Sequence, residues 1–578
     1  MKKTTSIATI AVIALSALAA QPTSAVVWNG SVNLDFTLGA NWDGGIAPPE
    51  GGALSNLKVT INAGTPLAGL VTPGFFRIGD LDVSGAFHIN GPGEVRVSRP
   101  TASTITGQFV AVNGGILSTE GGGQITLENS GEIHIATSGR LTTRGTPLLA
   151  AGIMGMTIKD SSILVTSGTG FTENLGQITQ TGGTTLVQDS GVLANSGTLS
   201  DYLHQQGSVI IQDSGRLRTL GGGRYNISGG TLTVKNGGTF ENAGTSSFTQ
   251  TGGTSNFVNG NLDNVGTLNL NGGDLNFSQG STITSSNGAV FNNTNGNLLV
   301  SGTGTSFVAD GTFTQTGGTT VIADNAALRN DGNYIHNGGA TNVRSGGTLT
   351  NNFGAMIQNG GTVTIETAGR LTNQDAFAGY AINGGTLDIQ AGAVMDGAGI
   401  THLNGGTLRV DGQMTQQIGL NITGGTLQGT GTINNNVVNS GGTVGPGNSP
   451  GTMTIVGDYT QGSGGGLAME VASLISFDIL DILGSADLDG TLDLTVDAGY
   501  SLTAQDGDSF KIMNWNAFTG GFSVINGLSF GNYKSFEITY AADGLTLTVN
   551  VPAPGAMVIF ALAVLTLMRQ RAANVLPV

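Results

Sequence analysis

Acidic side chains repeated at a fixed spacing are the residues of this chain most able to do chemistry. Gln188-Asp189-Ser190-Gly191 is followed 24 residues later by Gln212-Asp213-Ser214-Gly215. If one coil of a stacked fold separates them, the two carboxylates stand about 5 Å apart at the backbone. That is close enough to hold Ca²⁺ or to work as an acid/base pair. The competing reading makes Asp-Ser-Gly a turn whose Asp bonds its own backbone and faces water. No third acid and no neighbouring Arg completes a constellation around Asp189 and Asp213, so the turn is preferred. A second acidic group, Asp487, Asp489 and Asp493 around Gly490, lacks the spacing and the closing Glu of a calcium loop. Leu492, Leu494 and Val496 alternate there with Asp493 and Thr495, which predicts a hairpin with a polar outer face.

Other reactive groups are sparse. The five histidines, His88, His134, His204, His336 and His402, share no metal-ligand spacing and read as structural or solvated. There is no cysteine, hence no disulfide, thiolate ligand or Cys nucleophile. No phosphate loop with Lys occurs. No catalytic residue and no cofactor is therefore assigned. Arg344 and Glu366, 22 residues apart, read as a coil-to-coil salt bridge, worth about 0 to 1 kcal/mol at a surface.

The elements that position these groups follow from composition and repeats. Glycine fills 98 of 578 positions, about 17% against roughly 7% in average proteins. Only 10% of residues are charged while 38% are apolar. Helical bundles, coiled coils, charged disordered chains and collagen are all excluded by that balance. The net charge of −16 argues against nucleic acid as a partner.

Gly-Gly-Thr recurs along the chain, and Thr316-Gly317-Gly318, Asn337-Gly338-Gly339, Asn359-Gly360-Gly361 and Asn383-Gly384-Gly385 step by 21, 22 and 24 residues. In the same frame Leu328, Leu349 and Leu371 fall in register, as do Asn330, Asn351 and Asn373. Between the glycines, segments such as Thr362-Val363-Thr364-Ile365 alternate with period two, the pattern of half-buried strands. No repeat this short buries its own apolar face, so repeats must stack. The predicted fold is all-β, a right-handed parallel β-helix over 106–444, with an N-terminal β cap region over 26–105 and a C-terminal β domain over 445–550. The Asn series sits at a corner, either as a ladder of stacked amides or because Asn tolerates left-handed turn dihedrals.

The two ends read as targeting segments. Lys2 and Lys3 precede an apolar run from Ile7 to Ala20 and the small residues Thr23-Ser24-Ala25. This is the pattern of a signal peptide over 1–25, cleaved after Ala25 and handed to the Sec translocon. Val551, Pro552, Ala553, Pro554 and Gly555 lead into apolar residues 556–568, then Arg569 and Arg571. That order resembles the PEP-CTERM sorting tail recognised by exosortases in Gram-negative bacteria. Ala553 stands where the resemblance calls for Glu, and Ala572 to Val578 extend past the basic pair. The apolar run is about 13 residues, short of the roughly 20 of a stable span, which suits an anchor that is later processed.

Three further segments carry a second resemblance. Trp28-Asn29-Gly30 and Asn41-Trp42-Asp43-Gly44-Gly45-Ile46-Ala47-Pro48 resemble the opening of autotransporter-type β-strand-repeat proteins. Gly445-Pro446-Gly447-Asn448-Ser449-Pro450-Gly451-Thr452, with Phe477-Asp478-Ile479-Leu480 and Asp506-Gly507-Asp508-Ser509-Phe510 after it, resembles the C-terminal passenger segment of the same proteins. The repeats, the two targeting segments and the lack of a catalytic cluster together predict an exported, cell-surface or extracellular-matrix rod of structural or adhesion type, without catalysis and with extracellular glycans as the candidate partner. The alternative is a β-helix polysaccharide lyase or hydrolase acting on acidic glycans, which rests on fold analogy.

Overall fold

The computed structural model describes residues 25–28, 53–61, 68–70, 75–97, 102–119, 124–144, 155–377, 379–531, 533–552 and 562–570. Short strands recur in sets of three. Thr319–Ala323, Ala327–Asn330 and Asn333–His336 make one coil, and Ala340–Val343, Thr348–Asn351 and Ala355–Gln358 make the next. Each strand pairs in parallel with its counterpart one coil on, Thr319 with Ala340, Leu328 with Leu349 and Tyr334 with Met356. Three parallel sheets, here sheets 1, 2 and 3 in the order of those strands, wrap one interior. The chain is a parallel β-solenoid of about 18 turns, on the order of 85 Å long at the spacing of neighbouring strands.

The period-two alternation sets which side chains go in. Each four-residue strand sends two inward, and along sheet 2 these are the Leu and Asn series of the repeat, Leu328, Leu349 and Leu371 with Asn330, Asn351 and Asn373, all fully buried. Aromatic side chains stack from coil to coil in the interior. Phe313 stacks on Tyr334 with ring centroids 4.8 Å apart, and Phe257 on Phe277 at 4.6 Å.

A Gly-Gly pair makes the corner between sheets 3 and 1, and Gly339 of Gly338-Gly339-Ala340 shows why. Its φ is +77°, a conformation that costs an L residue about 1 to 2 kcal/mol. A Cβ there would also lie 2.5 Å from the carbonyl oxygen of Gly318, one coil below. Turn dihedral and coil stacking thus both demand glycine.

The parallel stacking runs past both limits of the 106–444 repeat. Towards the N-terminus Ala86–Asn90 pairs in register with Gln108–Val112, and Ala25–Trp28 with residues of Ala53–Ile61. Beyond Val444 the coils continue through Thr452–Ile455 and Ile479–Ile482 to Val524–Asn526. A short antiparallel pair, Gly466–Ser473 with Ser476–Phe477, interrupts them once, and at the end Gly544–Asn550 pairs antiparallel with Ser509–Asn514 and with Lys534–Ala541. This hairpin covers the last edge of sheet 2, which would otherwise expose unpaired backbone groups. Lys534 is buried there, and its ammonium donates to the carbonyls of Ser501, Leu502 and Ala504 at the end of the short helix Ala498–Thr503, at 2.9, 3.3 and 2.8 Å.

Candidate functional site

Polar side chains line the interior as well as the surface, and their bonding accounts for most of the repeat. Asn330 donates to Asn351 at 2.9 Å and Asn351 to Asn373 at 2.8 Å. Each of the first two also donates to a carbonyl of the following corner, Ala355 and Gly379. These residues end sheet 2 strands, buried and absent from the positive-φ positions, so the ladder reading holds and the left-handed-turn reading does not.

A second interior series escapes a reading based on glycine alone. Gln180, Gln250, Gln315 and Gln358 each precede a Gly-Gly corner by two residues and point inward. Gln358 donates to the carbonyls of Gly361 and Thr386 and accepts from the Tyr380 hydroxyl at 2.7 Å. Gln315 spends its amide protons on Gly318 and Ala340, and its oxygen accepts from Thr320 and Thr341. His336 occupies the same register between Gln315 and Gln358, which makes it a buried corner clamp, the structural and not the solvated case. Its Nδ1 meets the Gly360 carbonyl at 2.8 Å and its Nε2 has no partner. His204 plays the same part at Gly207. Burial pushes both imidazoles down, His204 to about 4. The signal was present in the sequence as Gln-Thr-Gly-Gly, Gln-Asn-Gly-Gly and His-Asn-Gly-Gly.

Asp189 and Asp213 stand one coil apart, since the flanking pairs are Val187 with Ile211 and Val192 with Arg216. Both are exposed, with φ of 50° and 49°, and Ser190 and Ser214 follow at positive φ. Gln212 donates to Gln188 beside them at 3.0 Å. Among the described residues no three His, Asp or Glu side chains gather closely enough to hold a metal ion.

The hairpin expected at Gly490 is not formed. Ser485–Leu488 and Thr491–Val496 belong to different sheets, and each pairs in parallel with the coils before and after it. A period-two pattern around a Gly does not distinguish a hairpin from a solenoid corner. The three carboxylates bond individually to the next coil, Asp487 with Thr519, Asp489 with Ser523 and Asp493 with Asn526. Arg344 and Glu366 do form the coil-to-coil pair, at 3.3 Å.

Of the terminal residues, Ala25 begins a strand. Val551 is held by a hydrogen bond from its N–H to Asp506 at 2.9 Å, and Pro552 follows. Residues 562–570, including Arg569, are helical with exposed apolar side chains. Ala553, Pro554, Gly555, Arg571, residues 1–24 and the Asn41 to Pro48 motif lie outside the described residues. No described helix is long and apolar enough to cross a membrane.

The outer surface is not uniform. Sheet 1 presents a row of hydroxyls in register, Thr362, Thr386, Thr407, Thr426 and Thr443. Between residues 155 and 473, six large apolar side chains are exposed at a corner, and all six lie at the one joining sheets 2 and 3. They are Leu199, Val265, Phe353, Phe377, Ile418 and Val456.

The sequence matches no protein-family model and no curated protein. Among solved structures, a hyper-glycosylated TibA fragment covers 58% of this chain and 97% of its own, at 13% identity and a TM-score of 0.29. The Haemophilus influenzae Hap adhesin covers 86% of this chain and 63% of its own, at 12% identity and a TM-score of 0.35.

Proposed function

We propose that this protein is an exported surface or matrix rod of adhesion type, without catalytic activity, delivered by its N-terminal signal segment and retained through residues 551–578. The observation that carries the reading is the continuous solenoid with its interior amides and carbonyls bonded from coil to coil. Such a scaffold holds surface groups at a fixed spacing over its whole length and does not need to move. The apolar and basic order of both ends supports export and sorting.

Protease shaving of intact cells, with mass spectrometry of the mature termini, tests it. The expected result is a surface-accessible chain starting at Val26 and shortened near Gly555. A chain found in the cytoplasm, or an envelope location unchanged by deletion of residues 551–578, would overturn it. Release of new reducing ends or unsaturated uronate from a panel of polysaccharides would replace it with the enzymatic alternative.

A further inference from the structure

We propose that the corner between sheets 2 and 3, over residues 287–377, binds an uncharged, extended pyranose chain, with Phe353 as the stacking platform. The proposal rests on the reading of the protein as a surface rod and gives that rod a ligand class.

The corner is hollowed into a groove of about 440 Å³, whose lining includes Asn287, Asp310, Thr312, Asp331, Asn333 and Phe353. Its shape is a consequence of coil stacking. A Cβ on Gly332 would collide with the carbonyl oxygen of Gly311, and one on Gly354 with that of Gly332. Glycine is therefore required at successive coils, and bare backbone is left as a floor running along the rod axis. Phe353 stands at one end of this trough, 68% exposed. One coil further the corner after Asn373 presents Phe377, 96% exposed, with a hydrogen bond from its N–H to Asp375 at 2.8 Å. An exposed Phe forgoes about 1.5 to 3 kcal/mol of burial. Two of them on adjacent coils, on the one corner that carries exposed large apolar groups between residues 155 and 473, mark a surface shaped for contact.

The chemistry of the groove selects the ligand. A pyranose offers a face of C–H groups to a phenyl ring and an edge of hydroxyls to polar partners. Asp310 and Asp331 supply acceptors, and Asn287 and Asn333 both donate and accept. Asp331 is already oriented, since Asn352 donates to its Oδ1 at 2.9 Å and Arg329 pairs with its Oδ2 at 2.5 Å. Coils repeat at about 4.8 Å, close to the advance of one sugar in an extended β-linked chain, so one contact set can recur from coil to coil. The two carboxylates and the net charge of −16 repel uronates and sulfated chains.

Titration calorimetry of the full-length protein with cellohexaose, its N-acetylglucosamine counterpart and hexagalacturonate tests the proposal. The expected result is saturable binding of at least one neutral hexasaccharide and at least about tenfold weaker binding of hexagalacturonate. Phe353→Ser should weaken neutral-glycan binding at least about tenfold with the circular dichroism and melting profile unchanged, and Phe377→Ser less. Asp189→Asn, on another corner, should have no effect. Failure of both neutral chains to bind, wild-type binding by Phe353→Ser, or preference for hexagalacturonate overturns the proposal. So does the finding, by sedimentation, that Phe353→Ser abolishes self-association while glycans never bind. Surface shaving reads export independently, so a protein at the surface that ignores neutral glycans sinks the site and leaves the rod standing.

Discussion

Asn351 Nδ2 donates to Asn373 Oδ1 at 2.8 Å across the gap between neighbouring coils, while Asn351 Oδ1 accepts from Asn330 at 2.9 Å. The bond is repeated elsewhere in sheet 2, from Asn174 to Asn195 and from Asn242 to Asn264. Asn351→Leu keeps the branched heavy-atom skeleton and leaves the Asn373 oxygen and the Gly379 carbonyl without the Asn351 amide as donor. The expected cost is about 2 to 3 kcal/mol, from polar groups that stay buried unpaired. Hydrogen exchange resolved by segment should show faster exchange around residues 348–382 and little change four coils away, since each coil touches only its neighbours. Asn359, in an exposed ladder with Asn337 and Asn383, serves as the control, and its change to Ala should stay within about 0.5 kcal/mol.

Much of this architecture was legible from residue spacing. The Gly-Gly-Thr steps and the Leu and Asn series name the coil length, one corner and the inward face of sheet 2. The histidines were less legible, because a lone His carries no periodic mark and only its alignment with Gln315 and Gln358 reveals an interior clamp. The acidic cluster at Gly490 was misread for a local reason. Two strands that flank a Gly can pair with each other or with adjacent coils, and their own sequence is the same in both cases. The apolar corner was invisible because its members, spaced unevenly from Leu199 to Val456, gather only once the coils are stacked.

Acid should weaken the coils that contain histidine. Burial lowers the imidazoles of His204 and His336, His204 to about 4, against about 6.5 in an unfolded chain. Above pH 6.5 both states are neutral and stability is complete. As the pH falls from 6.5 towards 4 the unfolded chain takes up protons that the native coil refuses, and stability declines. His336→Gln inserts the side chain that its neighbours Gln315 and Gln358 already use, and removes an unpartnered Nε2. The variant should match or exceed the parent at pH 7.5 and lose less on acidification to pH 4.5. Exchange rates in residues 333–361 at the two pH values check this, and an equal acid response in both proteins would contradict it.

Asp478 runs the other way. Its Oδ1 accepts from the Gly451 N–H and its Oδ2 from the Glu470 N–H, each at 2.8 Å, which pins the loop after Pro450 to the next coil. Burial outweighs those bonds and raises the carboxyl to about 6. A carboxyl raised above its unfolded value of about 3.9 contributes stability that is complete below that value and lost as the pH climbs through 6. Exchange at residues 447–451 and 470–482 should therefore slow, after correction for intrinsic rates, between pH 7 and pH 5. Asp478→Ala should abolish that dependence and open the loop to proteolysis.

The C-terminal closure depends on a buried cation. Lys534 donates to three carbonyls at the end of the helix Ala498–Thr503, and Lys534→Met retains the stem while leaving those oxygens unpaired. Hydrogen bonds from a charged donor to buried acceptors make this worth about 3 kcal/mol. Exchange should rise across residues 498–550 and stay unchanged across 155–440, because the loss propagates only through adjoining coils.

Gly339 and Gly237 separate two reasons for glycine. Their φ angles are +77° and +78°, so a side chain strains both backbones equally. A Cβ at Gly237 meets nothing within 4 Å, whereas one at Gly339 lies 2.5 Å from the Gly318 oxygen and 2.6 Å from the Gly317 carbonyl carbon. Gly237→Ala should therefore cost only the dihedral penalty of about 1 to 2 kcal/mol. Gly339→Ala must also push two coils apart, where backbone hydrogen bonds leave no slack, and should cost at least about 1 to 3 kcal/mol more. Comparing denaturation midpoints and segment-resolved exchange of the two variants measures the difference. Equal losses would mean that turn dihedrals alone, and not the close stacking of coils, account for the glycines at the Gly-Gly corners.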